Sequence, residues 1–427
     1  MREMKDSGIE GIGEIPSDWK LSYLQYYADI VRGGSPRPIE KYMSDTEEGY
    51  NWIKIGDTTK GCRYITSVKE KIIAAGLTKT RRVSQGDLLL TNSMSFGEAY
   101  ILQVNGCIHD GWLAFSNLRN IDKNYLYYYL ISDSSKVQFE KSSDGGVVQN
   151  LNIDKVKHTY ICIPQIDEQK KIADFLDKKC AEIDILTSDI QKQIDTLEQY
   201  KKSVITEAVT KGLNPDAEMK DSGVDWIGDI PSDWETIKIG RLFSIRNERN
   251  TKPMDEVQLL SLYTGIGVFP HGEQEERGNK AVTVEGYKIV HKNDIVVNII
   301  LAWMGAIGIS EYDGVTSPAY DIYVPDTRRV IPHFYHYVFR TKGIAGECYK
   351  YGRGIMLMRW RTYAQEFKQI SVPFPSIETQ QEIADYLDKK CSEIDTIISD
   401  KKKQLEVITE YKKSLIYEYV TGKKEVM

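Results

Sequence analysis

The 427-residue chain contains much of itself twice. MKDSGIEGIGEIPSDW (Met4–Trp19) returns as MKDSGVDWIGDIPSDW (Met219–Trp234), with 12 of 16 positions identical. Ile163–Thr210 returns as Phe374–Thr421, with 26 of 48 identical; IADFLDKKC becomes IADYLDKKC and YKKS is kept. A period of a little over 210 residues restricts the fold strongly. Each half must close its own core, and the halves must then be joined. The length, at roughly 100–200 residues per domain, agrees with two to four units. The blocks between the repeats differ, but their features come in the same order. GDLLLTNSMSFGEAYIL (Gly86–Leu102) lines up with NDIVVNIILAWMGAIGI (Asn293–Ile309), apolar runs on either side of a small-residue turn, and predicts a strand pair. NIDKNYLYYYLIS (Asn120–Ser132) lines up with VIPHFYHYVFRT (Val330–Thr341) as an aromatic-rich helix, whose tyrosines are expected in the core. Each block ends in an apolar stretch with proline, YICIP and ISVPFP.

The repeated 48-residue segment predicts a long helix in each half. Apolar side chains fall at Ile172, Leu176, Ile183, Leu186, Ile190, Ile194, Leu197, Val204 and Ala208, and again at Ile383, Leu387, Ile394, Ile397, Leu405, Ile408, Leu415 and Tyr419. The mean step of about 3.5 is that of a heptad seam. No Pro or Gly interrupts either run, and Gly212 with Pro215 ends the first. About 44 residues make a rod of roughly 65 Å. The other faces are charged, so neither rod is stable alone and each needs the other or a partner. The fold expected is mixed α/β: two similar α/β domains and two long helices in an antiparallel coiled coil, related by a pseudo-two-fold axis. The spans are residues 1–165, the helix 166–212, the linker and second domain 213–376, and the C-terminal helix 377–427. Chain order then puts one domain at each end of the rod and the chain ends near each other.

Composition narrows the class. With 41% hydrophobic and 28% charged residues the chain is globular, not disordered. The most apolar run, Ile295 to Trp303, is strand-sized, so no membrane span is expected. The polar start MREMKDSG carries no secretory signal. Six cysteines without CxxC spacing fit a reducing cytoplasm. The net charge of −6 hides an alternation: residues 20–162 and 235–373 each hold 18 Lys and Arg against 15 Asp and Glu. Two mildly basic blocks suit two modules facing a polyanion. The sequence lacks GxxxxGK[ST], GxGxxG after a strand, and the N/D-P-P-aromatic tetrapeptide of adenine methyltransferases. His109, His158, His271, His291, His333 and His336 form no metal-ligand set. Pro215-Asp216 with Glu218-x-Lys220 resembles a nuclease motif only superficially, its parts being too close for adjacent strands. Cys180 and Cys391, at equivalent helix positions, are expected to pack. A binding role is the default.

The residues also carry a resemblance. IPQIDEQKKIADFLDKKCAEID (Ile163–Asp184) and FPSIETQQEIADYLDKKCSEID (Phe374–Asp395) are similar to the P-L-x-E-Q-x-x-I-A-x-x-L-D pattern of DNA-specificity subunits of type I restriction–modification systems. IPSDW, Gly33–Pro36, Gln149–Leu151 and RGIMLMRW (Arg353–Trp360) also resemble that family, and the likeness runs over essentially the whole chain. Thr379 stands where the pattern has Glu; no consequence is expected. The resemblance implies a non-catalytic subunit whose two target-recognition domains each read half of a split site in double-stranded DNA. The paired helices would act as a ruler and as docking surface for two methyltransferase subunits, which restriction subunits can join. S-adenosylmethionine, ATP and Mg would be bound by those partners and no cofactor or metal by this chain. The rivals are an adaptor whose heads bind proteins, a cryptic enzyme, and a family member in a modification-only assembly.

Base edges are read by Arg, Asn and Gln on exposed loops. In domain one the candidates are Gly33, Gly34, Ser35 and Arg37, whose glycines would let backbone approach a phosphate; the pair Arg81 and Arg82; Asn92, Ser93 and Ser95; and Gln149 and Asn150. In domain two they are Arg246, Asn247 and Arg249; Asn298 and Trp303; and Arg353, Arg359 and Arg361, interleaved with Tyr351 and Trp360.

Overall fold

The computed structural model describes residues 2–46, 48–59, 61–92, 97–141, 151–264, 267–272, 283–354 and 360–426. Two compact units emerge: Met1–Gln191 with Lys403–Met427, and Lys192–Lys402.

The first unit is built on a five-stranded sheet in the order Asp29–Arg32, Trp112–Ser116, Leu88–Thr91, Ala99–Leu102, Tyr64–Ile65. Its pairs are antiparallel except the last. The apolar run at Leu88–Leu90 serves both faces, because successive side chains alternate. Leu88, Leu90, Leu113 and Phe115 meet a core shared with the helices, while Leu89, Trp112 and Ala114 meet a second core. That second core lies against a four-stranded sheet in the order Lys71–Ile72, Tyr50–Ile53, Gly106–Ile108, Arg81–Val83.

The second unit repeats the scheme with an antiparallel sheet in the order Phe243–Ile245, Tyr320–Pro325, Ile295–Asn298, Ile307–Ile309. Ile295 and Val297 face the helices, and Val296 and Ile322 face a separate small core. The strand pairs expected at Gly86–Leu102 and Asn293–Ile309 are both present. The aromatic helices form at Lys123–Ile131 and Pro332–Phe339, with Tyr125, Tyr129 and Tyr335 fully buried. Each is followed by a second helix, Asp133–Lys141 or Lys342–Tyr351, that the sequence did not announce. In these, only Phe139, or Ile344 and Cys348, are apolar residues fully buried, which is too few to show a period.

The long helices run over Ile166–Lys211 and Ile377–Val420. They pair antiparallel within each unit. In the first, Phe175 packs on Tyr419 with ring centroids 4.4 Å apart and Asp184 meets Lys412 at 2.6 Å. In the second, Lys201 meets Asp395 at 2.6 Å and Lys401 donates to Gln193 at 2.5 Å. At an offset of 211 residues (Cys180 to Cys391), Asp184 corresponds to Asp395 and Lys201 to Lys412, so one ion pair is the image of the other. The seam alternates steps of four and three without a break, from Leu176 through Cys180, Ile183, Thr187, Ile190, Ile194, Leu197, Lys201 and Val204 to Ala208. Two expected seam residues are therefore misplaced. Leu186 and Ile397 are 49% and 46% exposed, and Thr187 and Ile398 hold those positions. After Ile183 the heptad requires a step of four, whereas the apolar residue stands at three. The Thr187 hydroxyl is satisfied by donating to the carbonyl of Ile183 at 2.8 Å. The other seam residues named above are buried or half-buried.

The leading motif of each half is a small hairpin, Met4–Asp6 on Glu14–Pro16 and Met219–Asp221 on Asp229–Pro231. Its tryptophans, Trp19 and Trp234, are buried. Both long helices end in a left-handed glycine, Gly212 (φ +77°) and Gly422 (φ +72°). A Cβ at Gly212 would stand 3.2 Å from Trp234; one at Gly422 would stand 2.4 Å from Pro16. In the first unit, then, the chain's opening motif seats on the end of the second helix. In the second unit, the repeated motif seats on the end of the first. Among the described residues no helix is long and apolar enough to cross a membrane.

Candidate nucleic-acid interface

In the first unit the candidates converge on one turn, Ile108–Asp110. The Gly34 N–H and the Thr80 hydroxyl both donate to the carbonyl of Ile108, at 3.1 and 2.9 Å. Asn92 and Arg32 donate to the carbonyl of Asp110. The Ser35 hydroxyl donates to the Asp110 carboxylate at 2.6 Å, and this hydrogen bond holds the carboxyl below its ordinary range. Arg37 reaches the same carboxylate at 3.6 Å, and its side chain is 81% exposed.

This geometry corrects several expectations. The Gly33 and Gly34 N–H groups are taken by the carbonyls of Trp112 and Ile108 and do not face outward. Gly33 is glycine because a Cβ there would stand 2.0 Å from the His109 carbonyl oxygen. The close approach is to the protein's own backbone and not to a phosphate. Ser35 is likewise engaged by Asp110. Asn92 is buried, its amide fastening the end of a strand to the Asp110 turn while its carbonyl accepts from Leu151 N–H at 2.8 Å. Arg81 and Arg82 lie on the edge strand Arg81–Val83, both exposed, with Arg82 5.8 Å above the ring of Tyr50. Ser93, Ser95, Gln149 and Asn150 lie outside the described residues.

Beside the turn is a cleft of about 800 Å³, lined by Arg37, Lys54, Glu70, Trp52, Met43 and His109 among others. His109 sits between the N–H groups of Ile55 and Gly111, and burial pushes its pKa down. The cleft wall was not anticipated, since its residues come from four separate segments.

In the second unit, Arg246 is not free to read a base. Its guanidinium holds Asp294 with two hydrogen bonds, at 2.9 and 3.1 Å, and Glu248 at 2.8 Å. The Asp294 pair raises its pKa further. Asn298 is buried and its side-chain oxygen accepts from the N–H groups of Ile300 and Leu301, so it shapes its own turn. Trp303 packs against the core and lies 6.0 Å from Tyr349. Tyr349 in turn stacks on Trp360 at 5.2 Å. Arg353 and Arg361 pair across an antiparallel bridge, each N–H donating to the other's carbonyl at 3.0 Å. Both are exposed, Arg353 lying over Tyr363 and 3.0 Å from Glu366. Arg359 lies outside the described residues. Asn247 and Arg249 are exposed, and Arg249 donates to the carbonyl of Gly286 at 3.0 Å. The structure thus gathers Trp303 with Arg353 and Arg361, and leaves Asn247 and Arg249 on the segment that follows the strand Phe243–Ile245.

The repeated helical motif has a structural meaning that sequence reading missed. Gln169 and Gln380, an exact offset pair, are both fully buried. The Gln169 side chain accepts from Asp122 N–H at 2.8 Å and donates to the carbonyls of Asn120 and Pro164. Gln380 accepts from Ile331 N–H at 2.9 Å and donates to Arg329 and Pro375. Each therefore clamps a long helix to the start of its domain's aromatic helix. Eight residues on, Asp177 accepts from the hydroxyl of Tyr128 at 2.7 Å, and Asp388 from Tyr337 at 2.6 Å. The Thr379 substitution does have a local consequence. Glu168, its counterpart, pairs with Arg2 and accepts from Trp19, whereas Thr379 turns back to Ser376. His336 is half-buried beside Arg340, and desolvation pushes its pKa down to about 3. Among the described residues no group of three His, Cys, Asp or Glu side chains converges as a metal site would require.

Two similar heads mounted alike on long helices, with arginines displayed on exposed edges, define a two-headed recognition protein. The type I restriction modification DNA specificity domain matches residues 16–196 and again 231–407. The chain belongs to that family, with one copy of the domain in each half. It is 28% identical over 445 residues to a putative type I restriction enzyme MjaX specificity subunit of Methanocaldococcus jannaschii, covering 97% of this chain and 96% of that one. It is 23% identical over 419 residues to the EcoBI specificity subunit of Escherichia coli, covering 93% and 84%. Its fold is similar to a chain in a structure of type I R-M complex assembly and conformational transition, with TM-score 0.71, 12% identity and coverage of 96% and 99%. It is also similar to the HsdS subunit from Thermoanaerobacter tengcongensis, with TM-score 0.52, 12% identity and coverage of 96% and 98%. The chain supplies DNA-sequence specificity within a type I system and is not its catalytic component.

Proposed function

We propose that the chain reads a bipartite site in double-stranded DNA, one half with each head, across a spacer whose sequence is not read. The observation that carries this is the duplication of the domain–helix joint around heads that have diverged. Like mountings suit two copies of one partner, and unlike heads suit unlike half-sites. Exposed Arg37, Arg81 and Arg82 in the first head, and Asn247, Arg249, Arg353 and Arg361 in the second, are the remaining described candidates for contact. Ser93, Ser95, Gln149, Asn150 and Arg359 stay candidates from sequence. The paired helices would set the separation and carry two methyltransferase subunits, with restriction subunits joining them. S-adenosylmethionine, ATP and Mg would be held by those partners, and much of the phosphate attraction would be theirs too. The site of action would be the cytoplasm, where the DNA is.

The test is the methylation pattern of a host that carries the system. A split motif with a spacer of fixed length and free sequence is expected. A contiguous motif would refute the reading. Adding one heptad to both helices should lengthen the spacer and leave each half-site unchanged; an unaltered spacer would refute the ruler.

A further inference from the structure

We propose that Asp177 and Asp388 are spacer-determining residues: each fixes the heading of its recognition domain on the long helix, so that a single gap between half-sites is accepted. This rests on the bipartite reading above and names the residues that set its tolerance.

A recognition domain attached to a helix at one point can still swivel about that point. The buried glutamine is the first attachment in each unit. The aspartate is the second, eight residues or about 12 Å farther along the helix. Both aspartates receive a hydrogen bond from a buried tyrosine of the domain's aromatic helix, Tyr128 or Tyr337. A carboxylate accepting from a hydroxyl is directional and short, so it resists rotation more than apolar packing does. The two attachments use polar letters of the repeated motif, Gln and Asp, and both recur at the 211-residue offset although the heads they hold have diverged.

Changing a spacer by one base pair shifts the half-sites by roughly 3.4 Å and turns them by about 34–36° around the duplex. A head that turned by that angle about an axis across the helix at the glutamine would move its second attachment, about 12 Å away, by roughly 7 Å. No hydrogen bond survives that displacement. An intact joint therefore rejects a spacer one base pair too long or too short, whereas a head held by the glutamine and the less directional shared apolar core follows it more readily.

The two joints are not equally strong. Asp177 also pairs with Arg63, which donates to Asn124 at 2.7 Å and lies 4.4 Å over the ring of Tyr127 and 5.2 Å over that of Tyr128. Among the described residues no arginine pairs with Asp388, which lies 3.7 Å from His333. Removal of the tyrosine hydroxyl should therefore loosen the second head more than the first.

The experiment uses the full chain assembled with its methyltransferase partners and a plasmid set carrying the native half-sites with spacers that differ by single base pairs. Wild type should methylate one spacer. Tyr337→Phe should raise methylation at the neighbouring spacers by about tenfold relative to the native one, the factor given by losing one hydrogen bond to a charged group, and Asp388→Asn, which keeps an acceptor but loses the charge, should do so by less. The half-site bases should not change, and Tyr128→Phe should do less than Tyr128→Phe combined with Arg63→Ala. Unchanged spacer discrimination in an assembled, methylating Tyr337→Phe complex would overturn the proposal. So would altered half-site bases, or a uniform loss at every spacer with melting intact. If wild type itself methylates a contiguous site, the bipartite reading fails first, and the two failures are told apart. Tyr337→Phe removes a single oxygen, which guards against a variant that does not fold.

Discussion

Replacing Gln380 by Met keeps the side chain's length and removes its amide. Three backbone groups then lose their partner: the N–H of Ile331 and the carbonyls of Arg329 and Pro375. The residue is fully buried, so water does not replace the amide freely. An orphaned buried group costs about 1–3 kcal/mol, and that range for the N–H with about 1 for each carbonyl gives a loss of about 3–5 kcal/mol. In a unit of this size each kcal/mol shifts Tm by roughly 2–4 °C, so a fall of roughly 6–20 °C is expected. Thermal and urea unfolding of the full chain, followed by near-UV signals, would measure it. Gln380→Glu is the sharper control, because a carboxylate could still accept from Ile331 N–H but would face two carbonyl oxygens with no proton to give. It should be at least as damaging. Gln169→Met should cost the same within about 1 kcal/mol, since its bonds are the same three. A loss under about 1 kcal/mol in either variant would show that the clamp's partners find other bonds, and would refute the attachment argued above.

Other outcomes follow from the same structure. Gly212→Ala and Gly422→Ala should each cost about 1–2 kcal/mol from left-handed backbone strain. Gly422→Ala should cost more in a melting experiment, because its new methyl meets Pro16 at 2.4 Å whereas that of Gly212 meets Trp234 at 3.2 Å. His336, beside Arg340 and with His333 and Lys201 also disfavouring its charge, stays neutral in the fold. Its folded pKa is below the unfolded one, so the stability it contributes is complete above about pH 6.5 and is lost as pH falls toward 3. At pH 5.5 the loss should be about 1.4 kcal/mol, and His336→Gln should flatten that part of the pH–stability curve. Arg353→Ala and Arg361→Ala should weaken binding of the assembled complex to its own site by about 1–3 kcal/mol if the arginine reads a base, relaxing one base pair only. Equal weakening on all sequences in a binding assay would mark a phosphate contact instead.

Much of the architecture was legible because the repeat and the heptad are periodic signals that survive without context. The strand pairs around Leu88 and Ile295 could be read from apolar runs alone. The second helices at Asp133 and Lys342 could not, since their helical state is set by a few residues packing onto a neighbour. The seam failed at Leu186 and Ile397 for a related reason. At Leu186 hydrophobicity was followed where the strict four-residue step should have been, and a threonine that bonds its own helix filled the gap; at Ile397 the step alone separates two adjacent isoleucines. The interface was the least legible part. Arg246 and Asn92 have the side chains expected of readers, but Asp294 and the Asp110 turn occupy them. Only pairing across 48 and 18 residues reveals that, and residue type does not record it.

The mirrored lysines have a consequence for how the two helices find each other. A heptad seam looks alike after any shift of seven residues, so apolar contact alone would allow the strands of the coil to slide. Lys201 and Lys412 stand in that seam, each answered by one aspartate, Asp395 or Asp184. A slip of seven residues one way would set Lys201 against Lys402 and Lys412 against Gln191, and one the other way would set them against Asp388 and Asp177, carboxylates already held by Tyr337 and Tyr128. The two charges behave as a key cut at both ends, which turns only in the alignment that seats it twice.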